Sequence, residues 1–267
     1  MLRTDGKQSS ATRIGISTFA RGKYRSMEDR PITRKLSTFV HLSESELTVL
    51  EQLHSKHRTF GEGCDLIAQG QNDQATYILT DGWACSYKLQ ASGSRQIVDF
   101  QIPGDFLGLR SMLLHTSDHS IVPVGEIEAV EVTISDLIGA FSSAPRLGIA
   151  ILWAASRDEA MVVEHLVGIG QRNANERTAH LMLELSSRLS MVGIGSRSGF
   201  DCPLTQYHLA DALGLSAIHV NRVLRNLRES DFVTFRNGRV EFNDYDGLVR
   251  FADFDPVYLY NSGPLLT

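Results

Sequence analysis

The sequence predicts an α+β chain in three consecutive parts: an antiparallel sandwich or barrel, one long helix, and a small helical module closed by a hairpin. Three observations carry that expectation. Short β-prone runs alternate with turn signals between residues 58 and 133, the spacing of an antiparallel β domain. Residues 146–171 run without proline and with a long apolar stripe. Residues 203–230 read as two short helices joined by a glycine turn. A length of 267 residues suits about two domains, and an apolar fraction of 42% suffices for a buried core.

Residues 1–35 mix Ser, Thr, Gly, Lys and Arg without sustained periodicity and are expected to form a disordered basic tail. Met27 is a candidate natural start, which would make residues 1–26 an extension. Residues 43–54 are expected to form an amphipathic helix capped by Ser43 or Ser45, with Leu47, Leu50 and Leu53 on one face. The β-prone runs are 65–69, 76–80, 84–89, 95–100 and 129–133. The turn signals between and around them include Asp81-Gly82, Ser92-Gly93-Ser94 and Pro103-Gly104-Asp105.

The helix over 146–171 would be about 39 Å long, more than a small domain needs. Ile151, Ala155, Val162, His165 and Ile169 lie near a/d-type spacing. The expected partner is the same helix of a second copy; the alternative is burial within its own chain. Asn173 or Asn175 caps a following helix with Leu181, Leu185 and Leu189 along one face, and a Gly/Ser-rich link spans 193–199.

In the terminal module Thr205 is a good helix cap, and Leu209, Ala210 and Leu213 make an apolar face. Gly214 stops that helix where a positive φ is needed. Ser216 caps the second helix, whose buried face is Val220, Val223, Leu224 and Leu227. Its other face carries Ala217, Ile218, His219, Asn221, Arg222, Arg225 and Arg228. Arg and Asn are the side chains that read guanine and adenine edges in a major groove. The net charge of −5 does not advertise nucleic-acid binding. Between Ala217 and Arg239, however, five Arg face only Glu229 and Asp231, a local balance of +3 suited to phosphates. Asn237-Gly238 between two β-prone runs is a strong hairpin signal. Arg236 and Arg239 flank it, as a wing against a DNA backbone would require.

This order of parts resembles the Crp/Fnr family of bacterial transcription regulators. The resemblance covers residues 40–250 and rests on Tyr77-Ile78-Leu79…Gly82…Tyr87-Lys88, on 92–97, on Pro103-Gly104-Asp105-Phe106…Gly108 and on the helix-turn-helix. His219-Val220-Asn221-Arg222 is most similar to the FixK-type, alphaproteobacterial branch. The resemblance implies a cyclic-nucleotide-binding-like β-roll over 36–140, a dimerisation helix over 141–172, a winged helix-turn-helix over 173–250 and a C-terminal tail over 251–267. It also implies a cytoplasmic homodimer that binds an inverted-repeat DNA operator through Ser216, Ala217, Ile218, His219, Asn221, Arg222, Arg225, Arg236 and Arg239, and that contacts RNA polymerase. The alternative is an effector-binding or scaffold protein of the same fold without DNA binding.

An effector pocket is expected around Pro103, Gly104, Asp105, Phe106 and Gly108, with the effector itself unknown. Cyclic AMP is disfavoured. The turn continues Leu107-Gly108-Leu109 without the family's glutamate, residues 115–124 hold no arginine, and a buried cyclic phosphate needs a cation. An iron–sulfur cluster is disfavoured because no cysteine precedes Cys64. His115 and His119 with Asp118 read as a polar turn rather than a metal site. Cys202, just before the helix-turn-helix, is a candidate redox thiol. No apolar run approaches the ~18–20 residues of a membrane helix, and residues 1–26 lack an apolar signal core. The β stretch has no His-x-His cluster, and no nucleophile elbow or phosphate loop occurs, so no enzyme is expected.

Overall fold

The structure, a computed structural model, describes Tyr24 and residues 26–72, 75–114 and 116–260. Residues 1–23 and 25 of the expected tail and His115 lie outside that range. The rest of the tail corrects the expectation. Pro31–Ser37 is a helix (α1), opened by its proline, with Ile32, Lys35 and Leu36 buried. Ile32 and Leu36 stand one turn apart and share a face. The basic residues around them masked that stripe.

α2 (Glu44–Leu53) starts at a capping box in which Ser43 and Glu46 satisfy each other's backbone N–H. An antiparallel roll follows: β1 (His57–Phe60), β2 (Thr76–Leu89), β3 (Arg95–Gln101), β4 (Phe106–Leu107) and β5 (Ser120–Val132). The strand order is β1-β5-β2-β3, with β4 on β2. Two sequence expectations change here. Asp81-Gly82 is not a turn, because β2 runs through it and shifts register between Leu79 and Trp83. Gly82 takes φ 80° there, and a Cβ would lie 2.6 Å from Glu126 O, so the glycine serves a bulge. Residues 65–69 make only a single bridge, Ile67 to Ile121.

Ile67, Leu79, Leu107, Ile121 and Ile127 fill the roll. A second core joins α1, α2, the strand residues Ile78 and Val132, α3 (Leu109–Leu113) through Leu109, and α4 (Ile134–Ser143) to the first half of α5 (Pro145–Gln171). A third runs from Trp83, Ile97 and Phe100 of the roll through α6 (Ala174–Met191) into the terminal module. Asn173, not Asn175, caps α6.

At 27 residues α5 is as long as expected, but its outward face is not the one the sequence suggested. Ile151 is buried in its own chain, packed with α1, α2 and α4. His165 turns inward to Val98 O and Glu184. The outward line is instead Ile149, Leu152, Ser156, Glu159, Val163, Leu166 and Gly170, a 3-4 spacing kept for three heptads. Of the expected face, Val162 and Ile169 remain exposed and Ala155 is half-buried. Residues 251–260 of the expected C-terminal tail also need correction, while 261–267 lie outside the described residues. α9 (Tyr245–Phe251) and a 3-10 turn (Pro256–Tyr258) pack back onto the molecule. Phe254 and Leu259 are buried, and Tyr258 Oη donates to Glu184 at 2.9 Å.

Candidate nucleic-acid interface

The interface is built from two helices and a hairpin. α7 (Gln206–Leu213) begins where the Thr205 hydroxyl accepts from His208 N. It stops at Gly214, whose φ of 63° costs an L side chain strain. The Ser216 hydroxyl then accepts from His219 N and starts α8 (Ala217–Glu229). Val220, Val223, Leu224 and Leu227 pack α8 against Leu209, Ala210 and Leu213 of α7. Each such burial removes apolar area worth roughly 1.5–3 kcal/mol, which fixes the helix pair and aims the opposite face of α8 outward.

That face is where the sequence placed it. Ile218 is 84% exposed, and Asn221, Arg222 and Arg225 are exposed, with Ala217, His219 and Arg228 half-buried. Among the described residues Arg222, Arg225 and Arg228 have no carboxylate within ion-pair distance. Their charge is therefore uncommitted.

β7 (Val233–Arg236) and β8 (Arg239–Phe242) form the hairpin, with Asn237 and Gly238 at φ 52° and 72°, the mirror-image turn an Asn-Gly pair favours. β6 (Gly199–Asp201) pairs with β8 and ties the hairpin down. Arg236 is exposed and unpaired among the described residues. Arg239 differs: Asp201 at 2.8 Å and Glu241 at 3.2 Å already share its guanidinium. An open groove lined by Thr205, Gln206, Phe235 and Arg236 lies between the hairpin and the start of α7.

Two residues on this surface escaped the sequence reading. Gln206 Nε2 donates to Asn221 Oδ1 at 2.6 Å, which leaves the Asn221 amide N–H groups to face outward. Tyr207 is 72% exposed beside it. Their signal was positional: both open α7, where free backbone N–H groups favour a phosphate.

On the sensor side the expected pocket is core. Pro103, Gly104, Asp105, Phe106 and Gly108 are all buried. Asp105 accepts from Lys35 Nζ at 2.7 Å, from Arg188 Nη2 at 2.8 Å and from Ile102 N, with Arg157 Nη2 at 3.5 Å. Phe106 joins the core around Ile78, and a Cβ on Gly108 would collide with Ile67 Cδ1. The family's cyclic nucleotide does not fit these residues. Arg110, the one arginine in residues 107–124, is exposed and spent on Asp118 at 2.8 Å and on His119 Nδ1, so among the described residues of that stretch no buried arginine is free for a cyclic phosphate.

Among the described residues no group of three His, Cys, Asp or Glu could hold a metal. Cys202 is buried, and burial pushes its thiol up to about 12. That is the reverse of the low-pKa, accessible environment a redox thiol needs. Burial likewise lifts Cys85 to about 11. No helix among the described residues is long and apolar enough to cross a membrane.

A β-roll joined by a long helix to a winged helix-turn-helix defines a DNA-binding transcription regulator, not an enzyme. Residues 57–143 match the cyclic nucleotide-binding domain family, and residues 176–251 the Crp-like helix-turn-helix domain family. The chain belongs to the Crp/Fnr family. It is 29% identical over 181 residues to the nitrogen fixation regulation protein FixK of Rhizobium meliloti, covering 68% of this chain and 79% of that protein. It is 26% identical to the anaerobic regulatory protein of Haemophilus influenzae, covering 79% and 82%. The structure of FixK2 from Bradyrhizobium japonicum superposes with a TM-score of 0.66 at 21% identity, covering 73% of this chain and 96% of that one.

Proposed function

We propose that this regulator acts as a cytoplasmic homodimer that seats two copies of α8 in successive major grooves of an inverted-repeat operator and there contacts RNA polymerase. The observation that carries the reading is the outer face of α8: Asn221, Arg222 and Arg225 exposed together, the arginines free of carboxylates among the described residues, on a helix locked from behind. Arg222 and Asn221 read base edges. Arg225, Arg228 and Arg236 meet phosphates and set register. The unpartnered 3-4 line of α5 supports pairing of two copies, which would present the two α8 helices about 34 Å apart.

Selection of bound duplexes from a random library by the full-length protein tests this directly. The expected product is an inverted repeat with half-sites about one helical turn apart. Log affinity should fall linearly with log salt, in proportion to the phosphates contacted. A monomer in solution, or no palindromic enrichment at low salt, would leave an effector-binding scaffold as the better reading.

A further inference from the structure

An asparagine facing a major groove is ambiguous by itself. Its amide carries an acceptor oxygen and a donor NH2. Used together they match adenine, whose N6 amino group donates and whose N7 accepts. In this structure the two ends of Asn221 are not equally available. Gln206, the first residue of α7, donates from Nε2 to Asn221 Oδ1 at 2.6 Å. Asn221 Nδ2 has no partner among the described residues, and the side chain is exposed. The bond therefore crosses from the first helix of the helix-turn-helix to the outer face of the second.

The polarity of this pair has a local cause. Thr205 and His208 cap the start of α7 through each other: Thr205 Oγ1 accepts from His208 N, and His208 Nδ1 accepts from Thr205 N. The N–H groups of Gln206 and Tyr207, between them, take no part in that exchange. Free N–H groups and the positive end of the helix dipole favour an amide oxygen beside them. Gln206 therefore keeps its Oε1 at the helix end and turns its NH2 toward α8. The separation of the two side chains is held from behind. Leu209, Ala210 and Leu213 of α7 pack with Val220, Val223 and Leu224 of α8, and Gln206 is itself half-buried.

We propose that Gln206 is a positioning residue that sets which base Asn221 reads. With Oδ1 tied back to α7, Asn221 offers the groove donors only. Guanine, through O6 and N7, and thymine, through O4, present acceptors to it, whereas the amino groups of adenine and cytosine would set donor against donor. The operator position facing Asn221 is therefore a keto base, and the two-bond adenine pairing open to an untethered asparagine is closed. A residue outside the recognition helix thus fixes one letter of the operator. This base rule rests on the proposed seating of α8 in a major groove; the clamp between Gln206 and Asn221 does not.

The test reads the two separately, in the full-length protein. Without DNA, nitrogen-15 labelling of Asn and Gln side chains reads the clamp. One Gln206 Nε2 proton should be shifted downfield and exchange slowly, and should lose both properties in Asn221→Ala, while the Asn221 NH2 exchanges freely. A bonded Asn221 NH2 instead, or neither amide bonded, overturns the clamp. With DNA, duplex selection is followed by competition among single-base variants, and Asn221→Ala marks the position it reads as the one whose preference relaxes. Wild type should favour guanine or thymine there over adenine and cytosine by about tenfold. Gln206→Lys, still a donor, should keep that preference. Gln206→Glu, an acceptor only, should turn the Asn221 amide over and move the preference about tenfold toward adenine or cytosine. Its negative charge weakens all duplexes alike, so the ratio among bases stays readable. In the Asn221→Ala background every Gln206 variant should give the same ratios. Adenine favoured by wild type, ratios unchanged in Gln206→Glu, no position relaxed by Asn221→Ala, or ratios that still shift without Asn221 overturns the base rule. No selected duplex at all, with the Gln206 amide bonded as expected, overturns the proposed function and the base rule with it, but not the clamp.

Discussion

Arg222 stands exposed on α8, and among the described residues no carboxylate shares its charge, so its whole donor fork is available to a base. Arg222→Ala should cost about 1–3 kcal/mol of operator affinity and relax preference at one base position. Arg236, on the wing, should behave differently. Arg236→Ala should weaken all duplexes alike and lower the salt slope by about 1, and competition binding with single-base operator variants separates the two. Cys202→Ser should leave the peroxide sensitivity of DNA binding unchanged, because a buried thiol held near 12 supplies no thiolate. His165 titrates in the opposite sense. Burial alone would lower its pKa, but the charge and hydrogen bond of Glu184, then the charge of Asp99, raise it to about 9. Its contribution to stability is complete below the unfolded value near 6.5 and is lost as pH rises through 9. Glu184, held at about 2, keeps its own contribution throughout that window. Urea midpoints should fall between pH 6.5 and 9, and His165→Gln should flatten the fall.

At the scale of the element, α5 separates what the sequence shows from what it hides. Its existence and length are legible from 26 residues without proline, but its orientation is not. Two apolar stripes wind around it, and periodicity does not say which one the rest of the chain will claim. α1, α2 and α4 claim Ile151, and Glu184 claims His165, leaving Leu152, Val163 and Leu166 outside. In the proposed dimer, Leu166→Glu should therefore shift sedimentation to the monomer with little change in monomer melting. Ile151→Ala should instead destabilise the fold by roughly 2–5 kcal/mol. The helix-turn-helix was legible almost residue by residue, because caps, the glycine stop and the Asn-Gly turn are local rules. The core of the Pro103–Gly108 turn was not, since the partners of Asp105 come from positions 35, 157 and 188 and no local pattern joins them.

For the whole molecule, that aspartate is the point where the parts meet. Lys35 reaches it from α1, Arg157 from α5 and Arg188 from α6, all nearly free of solvent. Burial opposes the charge on Asp105, but Lys35, Arg188 and Arg157 together outweigh burial and hold its carboxyl below the usual range. Removing one member of a buried ionic cluster leaves the others unpaired, at a cost of about 3–5 kcal/mol. Asp105→Asn would remove the carboxylate that all three cations share, leaving Arg188 to Asp99 and Glu184, and Lys35 and Arg157 to Asp158 at 3.9 and 4.0 Å, so urea unfolding should show a loss of that order, and α1 should detach early as gain of amide exchange over residues 32–37. The pH dependence fixes the cause. A depressed carboxylate contributes fully above its unfolded value near 3.8 and loses that contribution only as pH falls through the lower folded value. The gap between wild type and Asp105→Asn should hence stay constant from about pH 5 to 8 and narrow only in stronger acid. A gap that closed near pH 6 would assign the loss to histidine chemistry elsewhere, and a gap below about 1 kcal/mol would mean that water, not the cluster, solvates these charges.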